Sequence, residues 1–142
     1  MVDNYTYKTK VINSKEFLFD ELRKKWIQIT PEEKVRQFFW KYLHYEKKYP
    51  KSLIAIEKQI IVHQRKKRFD IVIYNKNGNA HILIECKSPT ISLNENSLNQ
   101  LVNYQSSVKA KYLIITNGKA TYCLEIDQNL KKAKYLNDIP TY

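Results

Sequence analysis

Arg68-Phe-Asp-Ile-Val-Ile-Tyr74, Asn75-Lys-Asn-Gly-Asn79 and Ala80-His-Ile-Leu-Ile-Glu-Cys-Lys87 form the stretch that decides the fold. Both arms are apolar or alternating and rich in β-branched residues, so both read as strands. Asn77-Gly78 between them is a strong hairpin signal, because a type I′ turn needs positive φ at both central residues. With that turn, paired positions sum to 155 and Asp70 falls opposite Glu85. Paired side chains share a face with Cβ atoms roughly 4.5–5.5 Å apart. Lys87 lies two residues beyond Glu85 and shares its face. Two carboxylates and an amine are thus expected to converge.

Like charges opposite each other in a sheet destabilise it unless a cation stands between them. Carboxylate and water oxygens suit Mg²⁺. Such an ion can polarise a phosphoryl oxygen and activate a water, and a neighbouring ammonium can stabilise charge growing on a phosphate. The same three residues also fit a solvated sheet face on which Lys87 pairs with a carboxylate. The register alone leaves both readings open.

Lys and Arg total 25 against 14 Asp and Glu, a net charge of +11, and the pI is near 9.6. That balance points to a polyanionic partner. Nucleic acid and an anionic membrane both satisfy it. The chain has no basic amphipathic helix with a clean apolar face, which favours nucleic acid. Eleven tyrosines add stacking surface. The two cysteines, Cys86 and Cys123, match no metal-ligand spacing, and they suit a reducing cytosol. No signal-peptide h-region or membrane-spanning run is evident, so a cytoplasmic location is expected. Cys86 is expected in the core, on the face opposite Glu85.

A length of 142 residues implies one domain. It divides into an N-terminal extension (1–29), a core (30–127) and a basic tail (128–142). Residues 1–15 read as an edge strand or loose arm, and 17–29 as part strand, part helix. Thr30-Pro-Glu-Glu33 starts a helix: Thr30 caps, Pro31 suits the first position and Glu33 completes a capping box. Val35, Phe38, Phe39, Tyr42 and Leu43 keep helical spacing to about Lys48. Ile54 to Val62 reads as a strand carrying Glu57, and Arg65-Lys-Lys-Arg68 as a charge run at the next turn. A second helix runs from Asn94 to about Ser107. A buried strand from Lys111 to Thr116 and a turn at Asn117-Gly118 precede a strand from Thr121 to Ile126. This order gives an α/β protein with a mixed sheet flanked by helices.

Asp70 followed by Glu85-Cys-Lys87, in an α-β-β-β-α-β order, resembles the PD-(D/E)XK nuclease superfamily with its restriction-endonuclease-like core. The chain is most similar to one branch, the N-terminal endonuclease domain of type I restriction enzyme R subunits and its small standalone relatives. The residues that carry this are Leu22-Arg-Lys-Lys-Trp26, Thr30-Pro-Glu-Glu-Lys-Val-Arg36, Lys67-Arg-Phe-Asp70, Ile84-Glu-Cys-Lys-Ser-Pro89, Gln100 with Tyr104, and Tyr112-Leu-Ile-Ile-Thr-Asn-Gly118. Phe69 stands where the superfamily has its nominal proline.

The resemblance implies Asp70 and Glu85 as metal ligands, with Glu57 assisting, and Lys87 as catalytic lysine. Mg²⁺ is the implied ion, with Mn²⁺ able to substitute. Gln100 and Tyr104 resemble a Q-x-x-x-Y motif and share a helix face. That face either meets the DNA backbone or simply packs. Arg68 is either a phosphate contact or a counter-charge for Asp70. Arg65, Lys66, Lys67 and Arg68 are the expected DNA-binding run. The resulting expectation is a metal-dependent deoxyribonuclease of weak sequence specificity. The rival is a non-catalytic DNA-binding or accessory subunit of a restriction or repair complex. No G-x-x-x-x-G-K-[ST] occurs, so translocation would come from a motor subunit acting in trans, alone or beside a methyltransferase. A homodimer would supply a second site for the second strand.

Overall fold

The computed structural model describes residues 5–62, 64–127 and 132–142; the side chains of residues 62 and 104–108 lie outside that description. The described elements are β1 (Thr9–Ile12), β2 (Lys15–Asp20), β3 (Lys25–Gln28), α1 (Pro31–Tyr45), β4 (Ile54–Val62), β5 (Arg65–Tyr74), β6 (Ala80–Cys86), α2 (Glu95–Val108), β7 (Tyr112–Thr116), β8 (Thr121–Asp127) and β9 (Lys132–Leu136). The first three strands form their own antiparallel sheet, and the others a six-stranded sheet in the order β4-β5-β6-β7-β8-β9. β6 and β7 run parallel, as their connection through α2 requires. The architecture is the expected α/β one.

Two apolar faces hold the helices. In β6, Ile82, Ile84 and Cys86 turn to the α1 side, where they pack with Val35, Phe39, Trp40 and Leu43. Leu83 turns the other way, toward Leu98 and Leu101 of α2. This period-2 alternation buries both faces of the central strands. Cys86 is buried on the α1 side, as anticipated.

Local details depart from expectation. Thr30 Oγ1 accepts from Glu33 N at 3.0 Å, so the cap forms. Glu33 does not complete a capping box, because its carboxylate is taken by Arg23 and Arg36. Residues 17–29 contain no helix but the strands β2 and β3. Arg65 to Arg68 do not sit in a turn; they begin β5 and pair with β4 from Val62–Arg65 through Gln59–Arg68.

The β5–β6 turn also differs. Gly78 N donates to Asn75 O and Asn75 N to Asn79 O, with only Gly78 at positive φ in this segment. That is the three-residue turn with a left-handed glycine, not type I′. It offsets the register by one, so Tyr74 pairs with Ala80. A bulge between Ile73 and Tyr74 then restores it, and Ile73–Ile82, Val72–Leu83 and Ile71–Ile84 follow. The expected register survives at residues 71–73 through two compensating changes, but the Asp70–Glu85 pair itself does not join the ladder.

The basic tail contributes to the sheet and core. β9 pairs with β8, Ile139 is buried, and Tyr49 Oη donates to Pro140 O at 2.7 Å. Residues 1–4 of the expected N-terminal arm and 128–131 of the tail lie outside the described residues.

Both glycines have positive φ, +84° at Gly78 and +86° at Gly118, but only at Gly118 would an added Cβ meet Val35 Cγ2, at 3.2 Å. Gly78→Ala is therefore expected to cost about 1 kcal/mol, the left-handed penalty alone, and Gly118→Ala about 2 kcal/mol or more. Urea unfolding of the two variants beside wild type measures the difference.

Candidate active site

The site grows from a break in the sheet. In the β4–β5 register, Glu57 is the position opposite Asp70, flanked by the pairs Ile56–Ile71 and Lys58–Phe69, but that pair itself is missing. Glu57 takes φ +51°, a left-handed conformation unusual in a strand. On the other side of β5, the ladder to β6 ends at Ile71–Ile84, one step before Asp70 would meet Glu85. The next β6 donor, Cys86 N, gives its hydrogen bond to Asp70 Oδ2 at 2.8 Å. A carboxylate thus stands in for a ladder carbonyl. Beyond it β6 continues with β7 alone, through Cys86–Thr116 and a bond from Lys87 N to Thr116 O.

Asp70 Oδ1 accepts from Arg36 Nη2 of α1 at 2.6 Å. Arg36 Nη1 also binds Glu33 at 2.8 Å, while Glu32 and Glu57 lie 3.4 and 3.9 Å from Nη2. Arg23, following β2, binds Asp20, Glu33 and, at 3.0 Å, Glu57. Asp20 accepts further from Gln37 Nε2, and Gln37 Oε1 from Trp40 Nε1. Two guanidinium groups therefore knit Asp20, Glu33, Glu57 and Asp70 into one array, with the more exposed Glu32 at its edge. Burial pushes the Asp20 carboxyl up, but its bonds to Arg23 and Gln37 outweigh this and hold it below the ordinary range. Burial likewise opposes charge on Arg36, yet Asp70 and Glu33 override it and bind its proton more tightly than usual.

Glu85 is placed differently. It lines a cavity of about 190 Å³ with Lys67, Lys87, Ser97, Gln100, Leu101 and Ile115. Its Oε1 is buried and, among the described residues, accepts no hydrogen bond; Lys67 Nζ stands 3.8 Å away. Burial, then the charge of Asp70, pushes its carboxyl up to about 7, with Lys67 and Lys87 pulling against both. A buried acceptor with no donor is rare and unfavourable; Lys67 supplies opposite charge nearby but no hydrogen bond.

The structure thus brings Glu85, Lys87, Lys67 and Gln100 to one cavity, with Asp70 joined to that strand through Cys86 N. Glu57 is engaged by arginine. Arg65, Lys66 and Arg68 are exposed on β5. Tyr104 belongs to α2, but its side chain lies outside the described residues. Among the described residues no three His, Cys, Asp or Glu side chains gather as a ready cation cage. Mg²⁺ does not require one, since it is usually held by one or two carboxylates and keeps several waters. Glu85, with its orphaned Oε1, suits that donor chemistry, whereas both Asp70 oxygens are held by Arg36 and Cys86 N.

Arg23 and Arg36 were not singled out by the sequence reading. A signal existed: Glu33, Arg36, Gln37 and Trp40 fall at i, i+3, i+4 and i+7, one stripe of α1. Charged groups on a stripe ending in tryptophan require buried partners.

The family described as type I restriction enzyme R protein N terminus (HSDR_N) matches residues 31–140. No curated protein matches the chain. Among solved structures, a fragment of a candidate HsdR subunit of a type I restriction enzyme from Vibrio vulnificus YJ016 is similar with a TM-score of 0.55 at 16% identity, over 80% of this chain and 24% of that one. The present chain therefore spans about a quarter of the Vibrio chain. A candidate nuclease belonging to DUF820 from Anabaena variabilis ATCC 29413 gives a TM-score of 0.52 at 10% identity, over 84% and 75%. At these identities the likeness is one of fold. No helix among the described residues is long and apolar enough to cross a membrane.

The raised Glu85 carboxyl makes stability depend on pH. Folded protein keeps this proton up to about pH 7, whereas the unfolded chain releases it near 4.3. The contribution is complete below the unfolded value and is lost as pH rises through 7. Without divalent metal, Glu85→Gln should therefore be more stable than wild type at pH 8, by at most roughly 4 kcal/mol, and the gain should vanish below pH 4. Chemical denaturation in EDTA at the two pH values tests this.

Proposed function

The chain belongs to the family of type I restriction enzyme R protein N termini, and on that premise we propose that it is a metal-dependent deoxyribonuclease hydrolysing DNA phosphodiester bonds with weak sequence specificity. The observation that carries this reading is the orphaned, buried Glu85 Oε1 in one cavity with Lys87, on a strand tied to Asp70. Asp70 and Glu85 would hold Mg²⁺ or Mn²⁺, which when bound supplies Lewis-acid polarisation and lowers the pKa of a coordinated water. Lys87 would donate to the scissile phosphate and offset its growing negative charge. Gln100, on the same cavity wall, would hydrogen-bond a phosphate oxygen or the attacking water, with Tyr104 one helical turn further on. Arg65, Lys66, Lys67 and Arg68 would grip neighbouring phosphates, which gives affinity without base readout. Glu57 would act indirectly, through its arginine partners. Cleavage of both strands would need two sites, from a homodimer or from successive nicks, and translocation would come from a motor subunit in trans.

One observation favours a second reading, a DNA-binding or accessory subunit that does not cut. Both Asp70 oxygens already have donors, Arg36 and Cys86 N. Such a protein would keep its DNA affinity in an Asp70→Ala variant and would show no cleavage in wild type.

Supercoiled plasmid and labelled single-stranded DNA, incubated with Mg²⁺, Mn²⁺ or EDTA, separate the two. Wild type is expected to nick in either metal and not in EDTA, and Lys87→Ala to be slower by on the order of 100-fold while retaining DNA binding. Absence of nicking by folded, DNA-binding wild type would move the assignment to the accessory reading.

A further inference from the structure

The family match begins at residue 31, yet part of what holds the acidic site lies before it. Asp70 sits where β5 has lost its ladder partners on both sides. The sheet therefore does not fix its side chain; Arg36 and Cys86 N do. Arg36 is in turn fixed by Glu33, which it shares with Arg23. Arg23 also holds Glu57, the residue across from Asp70. Arg23 itself is oriented by Asp20, which is fully buried at the end of β2 and also accepts from the Leu22 and Arg23 amides. The path from the three-stranded sheet to Asp70 is thus continuous, made of forked guanidinium–carboxylate contacts whose directions are fixed by the planar group.

We propose that Arg36 is the positioning residue that sets Asp70 for metal-dependent chemistry, and that the three-stranded sheet completes the site by supplying Arg23 as its support. This inference rests on the nuclease reading. A plain electrostatic role predicts something different. A cation beside a metal ligand weakens metal binding, so its removal should tighten the ion and, at saturating metal, leave turnover intact. Positioning predicts that turnover falls even when the metal is fully bound. A merely structural role predicts that turnover recovers well below the melting temperature.

The test uses the full chain as wild type, Arg36→Lys, Arg36→Gln and Arg23→Lys. Thermal melts are taken first, Mn²⁺ binding is followed by electron paramagnetic resonance, and plasmid nicking is measured at saturating Mn²⁺ at least 20 °C, or about that margin, below each melt. Arg36→Lys keeps the charge but not the fork, so Mn²⁺ affinity should stay near that of wild type while turnover falls on the order of 100-fold. Arg36→Gln should bind Mn²⁺ more tightly and be equally slow. Arg23→Lys, one contact further away, should lose about tenfold in turnover, and it carries the test if the Arg36 variants do not fold. Wild-type turnover in the folded variants overturns the inference and leaves the nuclease reading intact. A wild type that neither binds Mn²⁺ nor nicks removes the nuclease reading, and the inference with it.

Discussion

Two guanidinium groups sharing four carboxylates are the constraint around which this molecule is arranged. Arg23 and Arg36 meet Asp20, Glu33, Glu57 and Asp70, largely out of water. Removing such charges from water is unfavourable, and their mutual attraction offsets this only where the geometry is good and the remaining polar atoms are bonded. Here Asp20 collects backbone amides and Gln37, and Asp70 collects Cys86 N. The array spans β2, α1, β4 and β5. It therefore fixes how the helix lies on the large sheet and how the small sheet meets the helix. Losing one arginine would leave buried carboxylates without their counter-charge, a far larger penalty than losing an exposed ion pair.

The central sheet yields to that array at one row. Glu57, Asp70 and Glu85 would be neighbours across β4, β5 and β6, yet neither pair joins the ladder. Three adjacent carboxylates repel, and the structure separates their partners: arginines for Glu57 and Asp70, two lysines near Glu85. The division leaves Glu85 undersupplied, with a buried oxygen that accepts nothing. Burial, then the charge of Asp70, raises its carboxyl pKa against the pull of the two lysines that share its cavity.

Much of this was legible in the sequence wherever the signal was local and periodic. The alternating arms around Gly78 identify two strands, and Thr30-Pro31 starts a helix that begins at Pro31. The 155 register held because the Ile73–Tyr74 bulge cancelled the extra residue of the turn, a cancellation that no pairing rule foresees. What stayed hidden is what depends on distant partners. Glu33 fits a capping box when only Thr30 is considered; Arg23, ten residues away, claims its side chain instead. The same limitation concealed Arg36 as the partner of Asp70, thirty-four positions later. Residues 17–29 were ambiguous because Lys-Glu-Phe-Leu-Phe-Asp mixes charges and aromatics without a clean period.

The outermost strand of the large sheet, β9, has a consequence for how copies of this chain can meet. It presents an open edge, and open edges invite another strand. Its sequence, Lys132-Ala-Lys-Tyr-Leu136, sets Lys132 opposite Asp127 and Lys134 opposite Glu125 on β8, so each lysine faces an opposite charge within the fold. A second β9 laid along that edge would instead bring lysine rows together, at short range and with no acid between them. The edge is therefore selective: it is quiet toward copies of itself, while the same ammonium groups remain available to a polyanion that passes alongside.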